Sequence, residues 1–151
     1  MNRSRDGLGL IGALMLIVSS GVHSILGWRG VQGELAVANV PGDLMLGIQV
    51  AWQFGGAAML TLGVVLLLIY RQRLRGEAAS VMLARAVSMM YLVFGAWALG
   101  ATGGALFPLV FLIPGAFLAM GSMYRVSPAT EAHADRARPF PPVHASRPPA
   151  A

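Results

Sequence analysis

Cysteine and lysine are both absent from this chain of 151 residues, and charge of either sign is scarce. Without cysteine there is no disulfide framework, no thiolate metal ligand and no thiol nucleophile. All 11 basic residues are arginine, set against six acidic ones, so the formal net charge is +5. Charged residues make up 11% of the chain and hydrophobic residues 56%, and the mean hydropathy of +0.67 is above what a water-soluble domain of this size tolerates. The length suits one compact membrane domain and leaves no room for a soluble catalytic one. A sequence pI near 11.1 invites a nucleic-acid reading. The arginines, however, flank apolar runs and form no basic stripe interleaved with aromatics, so the expected partner is the lipid bilayer and not nucleic acid.

The apolar runs divide the chain into a four-span membrane domain, residues 1–124, and a tail, residues 125–151. Residues 8–28 carry no formal charge and are long enough to cross a hydrocarbon core of about 30 Å. Arg3 and Arg5 followed by Ala36-Val37-Ala38 resemble a secretory signal, but that triplet lies too far beyond the apolar stretch ending at Val18, so a retained helix is expected. Residues 29–43, with Arg29, Glu34, Pro41 and Asp43, read as an external loop with room for a short interfacial helical turn. The second and third spans are residues 44–70 and 81–101, and Arg85 can reach back to the headgroups from the start of the third. Thr102, Gly103 and Gly104 supply a tight turn into the fourth span, residues 105–124, in which Pro108 is tolerated near the start and Pro114 should introduce a kink. Six of the nine prolines fall in residues 125–151, so a disordered tail is expected there, with Pro139, Pro141 and Pro142 favouring an extended conformation.

Orientation follows from the arginines. Arg3, Arg5, Arg71, Arg73, Arg75, Arg85 and Arg125 share one side, whereas the other side holds only Arg29. The positive-inside rule places both termini in the cytoplasm and makes the chain a multi-pass protein of the plasma (inner) membrane. Trp28 and Trp97 then fall at the outer interface, where indole rings prefer to sit. The expected fold class is all-α, a transmembrane up-down four-helix bundle.

Inside the spans the titratable groups are His23, Arg85 and the tyrosines, and an imidazole in hydrocarbon needs a partner. His23 and Gln49 come out at the same depth, about 7–8 Å below the outer interface. Gln53 follows Gln49 one turn deeper on the same face, and Trp52 adjoins it. Small residues recur every four positions at Ser19, His23 and Gly27, and again at Gly47, Ala51 and Gly55, allowing close approach. The glutamine stripe with Gly56 points away from part of the second small-residue stripe, so the two cannot face one neighbour, and which of them meets span one is open. Two readings of His23, Gln49, Trp52 and Gln53 follow. The leading one is a set of interhelical hydrogen bonds, each worth about 0.6–2 kcal/mol. The other is a candidate ligand pocket in the outer half of the bundle, for a small molecule, a lipid headgroup or a quinone-like ring.

Other chemistry finds less support. A bis-histidine haem needs a second intramembrane histidine, and His133 and His144 are in the tail, so no cofactor is expected. Proton-coupled exporters rely on an embedded carboxylate, whereas Asp6, Glu34, Asp43 and Glu77 all lie outside the expected spans. Gly7, Gly9 and Gly12 spell a dinucleotide fingerprint but open a membrane helix and follow no strand, so they are assigned to helix packing. No metal site and no catalytic constellation is apparent, and the chain is read as a non-enzyme.

Four spans with short connections over residues 8–124, and a first helix with Gly21 and Gly27 around His23, resemble the DoxX-like group of small bacterial four-helix membrane proteins. The resemblance is one of topology and implies an auxiliary role beside a membrane oxidoreductase system. The expected function is a non-enzymatic accessory or scaffolding subunit, as a homo-oligomer or within a larger membrane complex, and the alternative is a ligand-binding or transport subunit using the polar cluster around His23, Gln49 and Gln53. Arginine in place of lysine, with abundant Ala, Gly and Pro, suggests a GC-rich bacterial source.

Overall fold

The computed structural model describes residues 3–123, and all regular structure among them is helical. The expected tail therefore lies outside the described residues. Helix α1 (Arg3–Val22), a π-helical turn (His23–Gly27) and α2 (Trp28–Val37) form one rod of 35 residues. Helix α3 (Gly42–Leu74) has 33, α4 (Met82–Ala101) 20 and α5 (Leu109–Ser122) 14. The first three of these four rods are long and apolar enough to cross a membrane, whereas α5 is apolar but shorter.

The helix ends have local causes. Asn39, Gly76 and Gly103 all adopt positive φ, and each closes the preceding helix with a paired set of backbone bonds. After α2 these are Val40 N–H to Leu35 O (3.1 Å) and Asn39 N–H to Ala36 O (3.1 Å); after α3, Glu77 to Gln72 (3.0 Å) and Gly76 to Arg73 (3.0 Å); after α4, Gly104 to Leu99 (3.0 Å) and Gly103 to Gly100 (3.2 Å). This left-handed cap satisfies carbonyls that would otherwise be orphaned, and glycine or asparagine adopts it at least cost. Asp43 in the first turn of α3, and Arg71 and Arg73 in its last, complement the helix dipole.

Two boundaries differ from expectation. The segment read as an external loop is helical through Val37, because Arg29 and Glu34 end an apolar run without disfavouring a helix; the break comes at Asn39 to Pro41. The fourth helix starts at Leu109 and not at residue 105, since the stretch after the Gly103 cap forms tight turns, with Leu109 N–H on Leu106 O (3.1 Å) and Val110 N–H on Phe107 O (3.2 Å).

Helix α1 packs on α3 and on α5, α5 also packs on α4, and α3 and α4 barely meet. Gly9 lies under the Tyr70 ring and Gly63 against Ala13 and Ile17, while Gly27 lies against Trp52, so α1 and α3 run in opposite directions. Gly12 meets Leu118 and Gly9 meets Gly121, giving α5 the same sense against α1. Ala13, Leu16, Leu66, Tyr70, Tyr91 and Leu118 are the main buried apolar residues. Trp28, expected at the lipid interface, is instead buried within the protein at 6% exposed, whereas Trp97 is 65% exposed.

The Gly9 to Gly121 crossing leaves no space for a methyl group: a Cβ at Gly121 would fall on the backbone of Gly9. Gly121→Ala should therefore lower the free energy of unfolding by about 1–3 kcal/mol. By contrast, Gly33→Ala, at a helical position with nothing within 4 Å, should raise it by about 0.5 kcal/mol. Unfolding of the detergent-solubilised variants by a denaturing surfactant checks both signs.

Candidate functional site

The polar side chains singled out on the first two spans meet at the π-helical turn. Its widened backbone carries the Trp28 N–H back to the carbonyl of His23, and the neighbouring carbonyls are presented to α3. Trp52 Nε1 donates to His23 O at 2.8 Å, and Gln53 Nε2 donates to Ser24 O at 3.0 Å. In return His23 Nε2 bonds Trp52 O at 3.1 Å; since a carbonyl only accepts, Nε2 carries the proton. The two rings also stack, with centroids 4.3 Å apart and planes 3° from parallel. Each residue of this pair thus bonds the backbone of the other.

Glycines make the approach feasible. A Cβ at Gly56 would fall on the Ser24 hydroxyl, one at Gly27 would lie 3.0 Å from the Trp52 ring, and one at Gly55 3.4 Å from His23 Nε2. The stripe of Gln53 and Gly56 is therefore the one that meets α1, with Gly55 at its margin. Gln49 is different: it is half-buried, and among the described residues its side chain finds no hydrogen-bond partner. The structure brings His23, Trp52 and Gln53 together and leaves Gln49 out.

A second polar cluster, which hydropathy does not reveal, closes the opposite end. Asp6, placed outside the spans by sequence, is 1% exposed in the first turns of α1, where its Oδ1 accepts from Arg73 Nε at 2.7 Å. Arg73 also donates to Ala79 O at 3.2 Å, Arg85 Nε to Ser122 O at 3.0 Å and Arg5 to Met123 O at 2.8 Å. Two of these arginines thus bond carbonyls at the end of α5, where cations also complement the helix dipole. Asp6 Oδ2 and the Tyr70 hydroxyl are buried without a hydrogen-bond partner among the described residues. The signal available in the sequence was Asp6 itself, an acid that opens an apolar run, with a matching arginine 67 residues away.

Among the described residues no three His, Asp or Glu side chains converge as a metal would require. His133 and His144 lie outside the described residues. Chemically, both clusters consist of donors matched to backbone carbonyls or to one carboxylate, an arrangement that fixes helices in register.

Removing one partner of the buried ion pair should be costly. Arg73→Met leaves the Asp6 charge uncompensated and should destabilise the protein by about 3–5 kcal/mol, whereas the double variant Asp6→Leu with Arg73→Met should recover most of the loss. Trp52→Phe, which strips the donor from His23 O, should lose about 0.6–2 kcal/mol. Chemical unfolding in detergent measures all three, and a loss below about 1 kcal/mol for Arg73→Met would contradict the pairing. Compared with known proteins, the chain matches no family model, and no curated protein or solved structure is significantly similar to it.

Proposed function

We propose that this chain is a multi-pass protein of the plasma (inner) membrane, an up-down four-helix bundle with both termini in the cytoplasm, and that it acts as a non-enzymatic accessory or scaffolding subunit of a larger membrane assembly. The membrane part is supported by the three long apolar helices and by the arginines gathered at one end. The observation that carries the functional part is the reciprocal bonding of His23 and Trp52, with Gln53 on Ser24. Three of the four side chains nominated for a ligand are already engaged in joining α1 to α3.

What remains for interaction is surface. Leu46, Val50, Phe54 and Leu68 of α3 are all exposed, Phe54 at 74%, and α3 has little contact with α4 to cover it. An apolar helix side of this kind suits lipid or a neighbouring membrane helix. The likeness to DoxX-like proteins adds an oxidoreductase system as the setting for such a subunit. One observation favours the alternative of a ligand-binding or transport subunit: Gln49 is half-buried beside the clasp and unengaged.

Gentle detergent extraction of native membranes followed by size separation distinguishes the two. The accessory reading expects the chain to travel with stoichiometric partners or further copies of itself, and to keep that association after His23→Gln. A lone chain that carries a small molecule lost on Gln49→Ala would overturn it in favour of the alternative.

A further inference from the structure

The four rods are level at the arginine-bearing end and unequal at the opposite one. At the arginine-bearing end Arg73 reaches Asp6, Arg5 reaches Met123 O and Arg85 Nε reaches Ser122 O. Going outward, Gly12 meets Leu118 across α1 and α5, Gly95 meets Phe111 and Leu112 across α4 and α5, and Gly63 meets Ala13 and Ile17 across α1 and α3. Counted on from these crossings at equal rise, the end of α4 at Ala101 comes out level with Ile25 and Phe54. The α1–α2 rod then continues to Val37 and α3 back to Gly42, each by a further 12 residues or about 18 Å.

The short end is polar in its backbone. Residues 102–107 are all exposed, and no charged residue stands between Arg85 and Met123 to reach a distant headgroup. Among the described residues the N–H groups of Ala105, Leu106 and Phe107 donate to no backbone carbonyl. Exposed backbone of this kind has to be hydrated, because hydrocarbon supplies no acceptor. At the same level and beyond it, however, α3 exposes Phe54, Val50, Leu46 and Leu44, side chains suited to hydrocarbon.

We propose that the outer leaflet is thinned beside α4 and α5, so that phospholipid headgroups and their water descend to the turn at residues 102–107, while along α1 and α3 the hydrocarbon reaches higher. The inference rests on the membrane reading above. From Leu109 to Ser122, α5 covers about 20 Å, well short of a hydrocarbon core of about 30 Å. With no flanking charge to snorkel on that side, thinning is the accommodation left to a single chain. Tilt raises or lowers one side of the protein at both ends alike, so it leaves the difference in length. A uniformly thin bilayer would put Leu44, Leu46 and Val50 in water, and a uniformly thick one would put the backbone of residues 105–107 in hydrocarbon. Trp97 is an independent sign. It stands one turn before the end of α4 with its ring exposed and 5.5 Å from that of Phe94, and indole rings prefer the headgroup boundary. The two indoles on the longer rods are instead turned to the protein, Trp28 by burial and Trp52 by its bond to His23 O.

The test uses the full chain in phospholipid nanodiscs, open to solvent on both faces, with one cysteine at a time placed in a sequence that has none and modified with a nitroxide. Collision with a water-soluble nickel complex is compared with collision with oxygen, which concentrates in hydrocarbon. Ala105→Cys should favour nickel and Phe54→Cys, near the same level and also exposed, should favour oxygen, so that the nickel-to-oxygen ratio is severalfold higher at 105 than at 54. Ala105→Cys favouring oxygen, or shielded from both reagents by a second copy, overturns the proposal. Phe54→Cys favouring nickel overturns it too, since the outer ends of α1 and α3 would then stand in water above an evenly thin bilayer. Val64→Cys, exposed and midway between Phe54 and the arginine-bearing end, reports separately on the membrane reading, which fails if this position also favours nickel.

Discussion

One helix holds the others together. Helix α1 is the element that packs on both α3 and α5, and it does so through Gly9, Gly12 and Ala13, where backbones come close and the Tyr70 ring and Leu118 seat against the glycines. In apolar surroundings, association of helices depends on close packing and on interhelical hydrogen bonds, because the surrounding medium is as oily as the interface. Two polar clusters add directional bonds to this packing: Asp6 with Arg73 at one end, and His23 with Trp52 and Gln53 at the other. Asp6 and His23 are 17 residues apart, about 25 Å along a helix, which approaches the hydrocarbon thickness of a bilayer.

That arrangement reassigns most of the residues that invite a functional reading. An imidazole, an indole and a carboxamide at one depth look like a small binding site, yet each is turned to the backbone of the facing helix. The arginines have a similar double role. As charges they are what the proposed membrane orientation is argued from, and as donors Arg5, Arg73 and Arg85 join the helix ends at one side of the protein. Arg85 also borders an apolar groove between α4 and α5.

Much of this was legible in the sequence, because apolar length and turn residues are one-dimensional signals. The long helices and the turn at Gly103 and Gly104 follow from position along the chain, as does a rough common depth for His23 and the glutamines, whereas which face of the second span meets the first does not. Register between two helices is not one-dimensional, and neither is azimuth. Gln49 shares the face of Gln53 but lies one turn outward of it, and His23 and Ser24 meet Trp52, Gln53, Gly55 and Gly56 instead. The π-helical turn acts on azimuth: its extra residue rotates everything beyond it relative to α1, so Trp28 turns into the protein. Asp6 escaped notice for another reason. A hydropathy profile treats any acid as a boundary, whereas burial of this one is decided by Arg73, which sequence distance hides.

The absence of native cysteine makes the joining of α1 to α3 directly testable. The position of a Cβ on Gly56 is 3.3 Å from the Ser24 Cβ, close to the roughly 3.5–4.5 Å range of disulfides. With cysteines at 24 and 56, mild oxidation in native membranes should form an intramolecular disulfide, detected as a mobility shift reversed by reductant. With cysteines at 24 and 47, where nothing lies within 4 Å of the Gly47 Cβ position, it should not. Failure of the first pair to cross-link, or equal cross-linking of both, would contradict the clasp on which this account depends.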